Sequence, residues 1–129
     1  MKRGGIINAQ LAGALARLGH TDTLVVCDAG LPIPRGPEVV DLAFRLGIPG
    51  FGSVLEGILE ELVVEEAVAA REVEGANPDC HALLASRLPE LKLVPHWELK
   101  LRAADARLVV RTGEATPYSN VILRCGVPF

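Results

Sequence analysis

Three histidines and a few carboxylates are the side chains here whose type and spacing could carry out chemistry. The densest polar segment is Gly19-His20-Thr21-Asp22. Histidine gives and takes protons near neutral pH, which makes it a natural general acid or base. The partial negative charge of a helix C-terminus just before His20, and Asp22 two residues on, would both favour an imidazolium if the side chains converge. The same residues could equally form a plain polar turn, with His20 on the last helical carbonyls and Asp22 on the turn backbone. Asp28 directly follows the apolar run Thr-Leu-Val-Val-Cys and precedes a loop rich in glycine and proline. That places a carboxylate at the carboxyl end of a strand, where α/β proteins bind ligands, although aspartate also simply initiates turns. A third candidate is the polar stretch Arg111-Thr112-Gly113-Glu114-Ala115-Thr116-Pro117-Tyr118-Ser119-Asn120. Its mixture of donors and acceptors suits sugar hydroxyls, which need both. His96 opens a helix after a short strand. His81 falls inside an expected helix and reads as structural.

Familiar signatures are missing: no Walker loop, no GxGxxG, no HExxH and no GxSxG. No histidine stands at a metal-ligand spacing from another histidine or from a cysteine. The three cysteines, Cys27, Cys80 and Cys125, are odd in number and form no CxxC pair. They read as small buried hydrophobes in a reducing compartment rather than as disulfides or a zinc site.

The elements that would hold these groups follow from local patterning. Residues 8–18 form an amphipathic helix, capped by Asn8 and stopped at Gly19. Residues 23–27 are apolar without alternation, as in a strand buried on both faces. Three prolines and two glycines make residues 28–37 a loop. Residues 39–44 suit a strand, 47–52 a turn, and Ser53 can cap a helix running to about Leu62. Residues 63–73 favour helix by propensity and strand by position. Asn77-Pro78 starts a helix, with asparagine at the cap and proline at the first position; it should stop before Pro89. Strands follow at 91–94, 106–111 and 121–125, with a short helix at 96–104. This alternation implies a mainly parallel sheet covered by helices on both faces, a three-layer Rossmann-like α/β sandwich.

Composition bounds the rest. At 129 residues the chain is the size of one domain. It is 50% hydrophobic and 22% charged, enough to build a core. A net charge of -3 and 4% aromatics argue against nucleic-acid binding. The basic N-terminus lacks the apolar run of a signal peptide, and no stretch approaches the roughly 20 apolar residues of a membrane helix. A soluble, cytoplasmic protein with no membrane partner is expected.

These segments together resemble the D-ribose pyranase family and its relatives, the fucose mutarotases. The resemblance rests on Lys2-Arg3-Gly4-Gly5-Ile6-Ile7-Asn8, on the run from Leu18 through Pro34, on Arg111-Thr112-Gly113-Glu114, on Pro117-Tyr118-Ser119-Asn120 and on Gly126-Val127-Pro128-Phe129. It covers essentially the whole chain. It implies an α/β fold assembled into a ring homo-oligomer, a pentamer or a decamer made of paired pentamers. It also implies interconversion of the ring forms of a free sugar without cofactor or metal. By this resemblance His20 matches the proton donor, and Asp28, His96, Tyr118, Ser119 and Asn120 match sugar-contacting residues. The wording His-Thr-Asp and Asp-Ala-Gly-Leu-Pro-Ile-Pro favours D-ribose over fucose. Two other activities would use the same polar groups: a sugar-binding accessory that does not turn its ligand over, and a metal-dependent aldose–ketose isomerase built on Asp22, Asp28, Glu114 and the histidines.

One geometric expectation is sharp. Five extended residues span roughly 16 Å. His20 and Asp28, which flank the 23–27 run, must therefore lie at opposite ends of that strand. Either the turn folds back, or the two groups meet across a subunit boundary.

Overall fold

The computed structural model describes residues 1–88 and 90–129. Its centre is the strand β1 (Thr23–Cys27), whose last four residues are completely buried. In chain order the other strands are β2 (Glu38–Asp41), β3 (Val64–Ala70), β4 (Leu91–Val94), β5 (Leu108–Arg111) and β6 (Val121–Cys125). They form one six-stranded sheet in the order β2-β5-β1-β6-β3-β4. β1 pairs parallel with β5, β5 with β2, and β3 with β4. β6 runs antiparallel to both of its neighbours, β1 and β3. The sheet is thus mainly parallel, as expected, but its two parallel halves are joined by one reversed strand. This reversal decides the site. The carboxyl ends of β1, β5, β3 and β4 share one edge of the sheet with the amino end of β6.

The helices are α1 (Ala9–Ala16), α2 (Phe51–Leu59), α3 (Val73–Ala76), α4 (Pro78–Arg87) and α5 (His96–Ala103). They cover the faces unequally. Leu11 and Leu15 of α1, Leu55 and Ile58 of α2 and Leu84 of α4 pack against Leu24, Val26, Val110 and Leu123 on one face. On the other face Leu99 and Ala103 of α5, joined by Leu31, cover Val25, Val68, Val109 and Ile122. Alternate residues of β1 feed the two cores, as the two-residue repeat of a strand requires.

Local signals account for most elements. Asn8 caps α1 by accepting from the Leu11 N–H at 2.9 Å. Asn77 caps α4, with Pro78 at its first position; Pro89, expected to stop that helix, lies outside the described residues. The ambiguous stretch at 63–73 resolves as strand β3 followed by the single turn of α3. Two expectations are corrected. β2 is four residues long, because β5 ends at Arg111, whose carbonyl takes the last bond of the pair from the Leu42 N–H at 2.9 Å. α2 begins at Phe51, before Ser53, and its Gly50 cap has no side chain to offer. The Ser53 hydroxyl bonds the Gly50 carbonyl instead. The acceptor for the Phe51 N–H is the carboxylate of Glu114, 63 residues away.

All three cysteines are buried and free. Burial, with the charge of Asp28 beside it, pushes the Cys27 thiol up to about 12. It packs as a hydrophobe and is not a nucleophile. Among the described residues, no helix is long and apolar enough to cross a membrane.

Candidate active site at the carboxyl edge of the sheet

A cleft of about 590 Å³ opens at the edge where the carboxyl ends of β1 and β5 meet the amino end of β6. Asp28, His96, Arg111, Glu114, Tyr118 and Asn120 line it, with Leu31, Pro32 and Leu46 as apolar walls. Its volume lies within the range of about 300–1,000 Å³ usual for small-molecule sites.

Asp28 is the first residue beyond β1 and is 9% exposed. Its Oδ1 accepts from the N–H groups of Gly30 and Leu31 at 3.0 and 2.9 Å. Its Oδ2 accepts from Asn120 Nδ2 at 3.0 Å. A carboxylate offers roughly four acceptor positions. These three bonds fix its plane and leave capacity on Oδ2 for a hydroxyl in the cleft. Asn120, at the entry to β6, returns the contact by accepting from the Asp28 N–H at 2.9 Å.

His96 opens α5. Its backbone N–H is held by both oxygens of Glu72, at 3.0 and 3.2 Å. Glu72's own N–H and that of His96 keep the Glu72 carboxyl below the usual range. The His96 ring meets the Tyr118 ring edge to face at 5.1 Å, a favoured aromatic geometry. Its Nδ1 is buried without a hydrogen-bond partner. Tyr118 adopts a φ of 61°, in the left-handed region. A bulky residue holds that conformation only where its surroundings impose it.

Two further groups of the polar stretch that begins at the end of β5 also face the cleft. Arg111, at the end of β5, donates from Nε and Nη2 to the Ala29 carbonyl and from Nη1 to Asp41 at 2.9 Å. It thereby anchors the loop that follows Asp28. Glu114 accepts from Phe51 N–H at the start of α2 and from the N–H groups of Ala115 and Thr116 and the Thr116 hydroxyl. Burial tends to raise its carboxyl, but these donors outweigh burial and hold it below the ordinary value. Gly113 lets this loop approach the turn at 45–48, since a Cβ there would run into the backbone carbonyls of Ile48 and Arg45. Leu46, on that turn, reaches the cleft in this way. Nothing in the sequence near Leu46 signals it, because the contact depends on a glycine far along the chain, Gly113.

Two of the expected site residues stand apart from the cleft. Ser119 is buried and its hydroxyl is engaged behind the wall, with Asn77 at 3.0 Å and the Thr116 carbonyl at 3.2 Å. His20 lies at the opposite edge of the sheet, beside the amino ends of β1 and β3, so the turn does not fold back. Its ring is half exposed and its Nε2 is 3.1 Å from Glu65 Oε2. The expected partnership of His20 with Asp22 is corrected. The Asp22 carboxylate is taken by the Gly19 N–H and by Arg107, which hold it below its usual range. A guanidinium outcompetes the imidazole for it, and Glu65 is the carboxylate beside His20. Among the described residues, no group of three or more His, Cys, Asp or Glu side chains is placed to hold a metal ion.

With this geometry in hand, the comparisons are specific. Residues 1–128 match the RbsD / FucU transport protein family. The chain is 98% identical over 129 residues, with full coverage of both chains, to a Rubrobacter xylanophilus protein named D-ribose pyranase 1. It is 66% identical, again with full coverage of both, to the D-ribose pyranase of Streptomyces avermitilis. Among solved structures, Bacillus subtilis RbsD complexed with D-ribose superposes with a TM-score of 0.95 at 44% identity, covering 100% of each chain. FucU from Bifidobacterium longum superposes at 0.79 with 27% identity, covering 95% of this chain and 97% of that one. Family match, sequence identity and overall superposition agree, and the chain belongs to the RbsD / FucU family.

Proposed function

We propose that residues 1–129 work as one domain that interconverts the β-pyranose and β-furanose forms of free D-ribose in the cytoplasm. The observation that carries this reading is the convergence of Asp28, His96, Tyr118 and Asn120 on one cleft at the carboxyl edge of the sheet. The 98% identity with a protein named D-ribose pyranase 1 supports the same substrate.

The reaction is a hemiacetal exchange. A proton reaches the ring oxygen O5 while the anomeric hydroxyl loses one. The C1–O5 bond breaks and C1 becomes the aldehyde carbon. The chain then rotates, O4 adds to C1 as it loses its proton, and the carbonyl oxygen regains one. No C–H bond breaks and no electrons leave the sugar, so positioned proton donors and acceptors are sufficient chemistry.

Asp28 Oδ2 accepts one sugar hydroxyl, and Tyr118 and His96 offer hydroxyl and imidazole to others. Asn120 holds Asp28 and closes the floor, and Ser119 supports the segment from behind. Groups that read hydroxyls from a dry wall discriminate sharply, because an analogue without the hydroxyl leaves them unpaired.

His20, in protonated form, is the donor to the ring oxygen. Its place at the far edge of its own chain supports a donor lent by a neighbouring copy in a ring homo-oligomer, a pentamer or decamer. The rim beside the cleft supports this arrangement. Phe44 and Leu46, 80% and 78% exposed, stand there as bare apolar side chains, which a second copy would cover.

Ribose exchange followed by saturation-transfer NMR tests the function. The protein should raise the pyranose–furanose exchange rate well above that of buffer, with no exchange of the C2 proton. A protein that binds ribose but leaves the rate unchanged would be an accessory rather than a catalyst.

A further inference from the structure

Behind the cleft, the loop after β5 rests on the amino ends of α2 and α4, and Asn77 sits at the junction. Its Oδ1 accepts from the Cys80 N–H at 3.3 Å as the cap of α4. Its Nδ2 donates twice, to the Pro117 carbonyl at 2.9 Å and to the Ser119 hydroxyl at 3.0 Å. These partners settle the orientation of the amide, because an N–H must face its oxygen and a carbonyl its nitrogen. The Ser119 hydroxyl donates to the Thr116 carbonyl, and the Thr116 hydroxyl donates to Glu114 at 2.8 Å. Glu114 in turn accepts from the start of α2. The residues on either side of Tyr118 are thus held by a single amide, and Tyr118 is the one in the left-handed conformation.

We propose that Asn77 is a positioning residue for the sugar site. Its Nδ2 straddles Tyr118 and holds its backbone in the left-handed region, which sets the ring that faces the ligand and that props His96 edge to face. Asn77 itself does not line the cleft. This inference rests on reading the cleft as the ribose site. It gives an asparagine that looks like an ordinary helix cap a second task, which only its amide nitrogen performs.

The two tasks separate chemically. Asn77→Asp and Asn77→Ser both keep an oxygen that can cap α4, and both lose the donor that grips Pro117 and Ser119. In the aspartate variant an oxygen faces the Pro117 carbonyl, acceptor against acceptor. Tyr118 is the only tyrosine in the chain. Protein grown on fluorotyrosine therefore shows one fluorine resonance, which reports this ring alone.

Both variants should stay folded and lose less thermal stability than Asn77→Ala, while the fluorine resonance moves or broadens. The KM for ribose should rise, and kcat/KM should fall by about 10- to 100-fold, the scale of a small misplacement of binding groups. Asn77→Ala, which loses the cap as well, should also melt earlier. A native-like resonance and a native KM in the aspartate and serine variants would overturn the proposal. If the native protein failed to accelerate ribose exchange, the ribose reading would fall, and the fluorine resonance would still decide whether Asn77 positions Tyr118.

Discussion

Asp28 and Asn120, 92 residues apart, hold each other through two hydrogen bonds. The Asp28 N–H donates to Asn120 Oδ1 at 2.9 Å, and Asn120 Nδ2 donates to Asp28 Oδ2 at 3.0 Å. The pair closes the floor of the cleft where parallel β1 meets reversed β6. Asp28→Ala removes the acceptor for Asn120 and for the N–H groups of Gly30 and Leu31. Stranding buried polar groups costs about 1–3 kcal/mol each, and some of these will find water. The variant should unfold at clearly lower urea and should lose ribose binding by NMR titration. Native-like values in both measurements would contradict the role given to Asp28.

His20 makes the opposite prediction. Its ring is half exposed and pairs with Glu65 at the surface, so His20→Ala should change stability by no more than about 0.5 kcal/mol. Ring exchange should fall by about 10²–10⁴-fold, the usual contribution of a positioned acid–base group. Exchange at the native rate would remove His20 from the mechanism.

The separation of His20 from the cleft leads to a mixing experiment. His20→Ala and Asp28→Ala chains are each expected to be inactive alone. In a ring where one copy lends His20 to its neighbour's cleft, random co-assembly at equal amounts makes roughly one site in four fully native. Co-expressed variants should therefore recover about that share of activity. Mixed rings with no activity would place both groups of a site in one chain.

Glu114 predicts a pH dependence. Its carboxyl is held below the ordinary value in the folded protein, so the unfolded chain takes up this proton first as the pH falls. The stabilisation is complete above the ordinary glutamate value of about 4.3. It is lost as the pH falls from there through the depressed folded value. Urea midpoints measured across this acid range should fall less steeply for Glu114→Gln than for the native chain. Parallel curves would show that the donors around Glu114 contribute no linkage.

The sequence was readable wherever the deciding interaction was local. Asn8 and Asn77-Pro78 announce their helices because a cap reaches only a few residues ahead. The run from Thr23 to Cys27 reads as a doubly buried strand because five apolar residues without alternation leave no face for water. Ser53 reads as the cap of α2, but the acceptor there is Glu114, which comes from the loop after β5, 63 residues further along the chain. Of the two readings of Asp22, the bond to its own turn is local and holds, through the Gly19 N–H, whereas a contact with His20 is displaced by Arg107, 85 residues away.

By itself, then, the sequence determined the alternation of strands and helices, the polar segments at Asp28 and at 111–120, and the distance that must separate His20 from Asp28. Strand rise and helix capping are properties of a few neighbouring residues, which is why these features can be read directly. Only the tertiary structure decided that β6 runs backwards between two parallel halves, that Tyr118 and Asn120 thereby reach Asp28 and His96, and that Ser119 turns inward to Asn77. Those outcomes depend on which distant segments pack together, and contacts between distant segments leave no periodic trace in the chain.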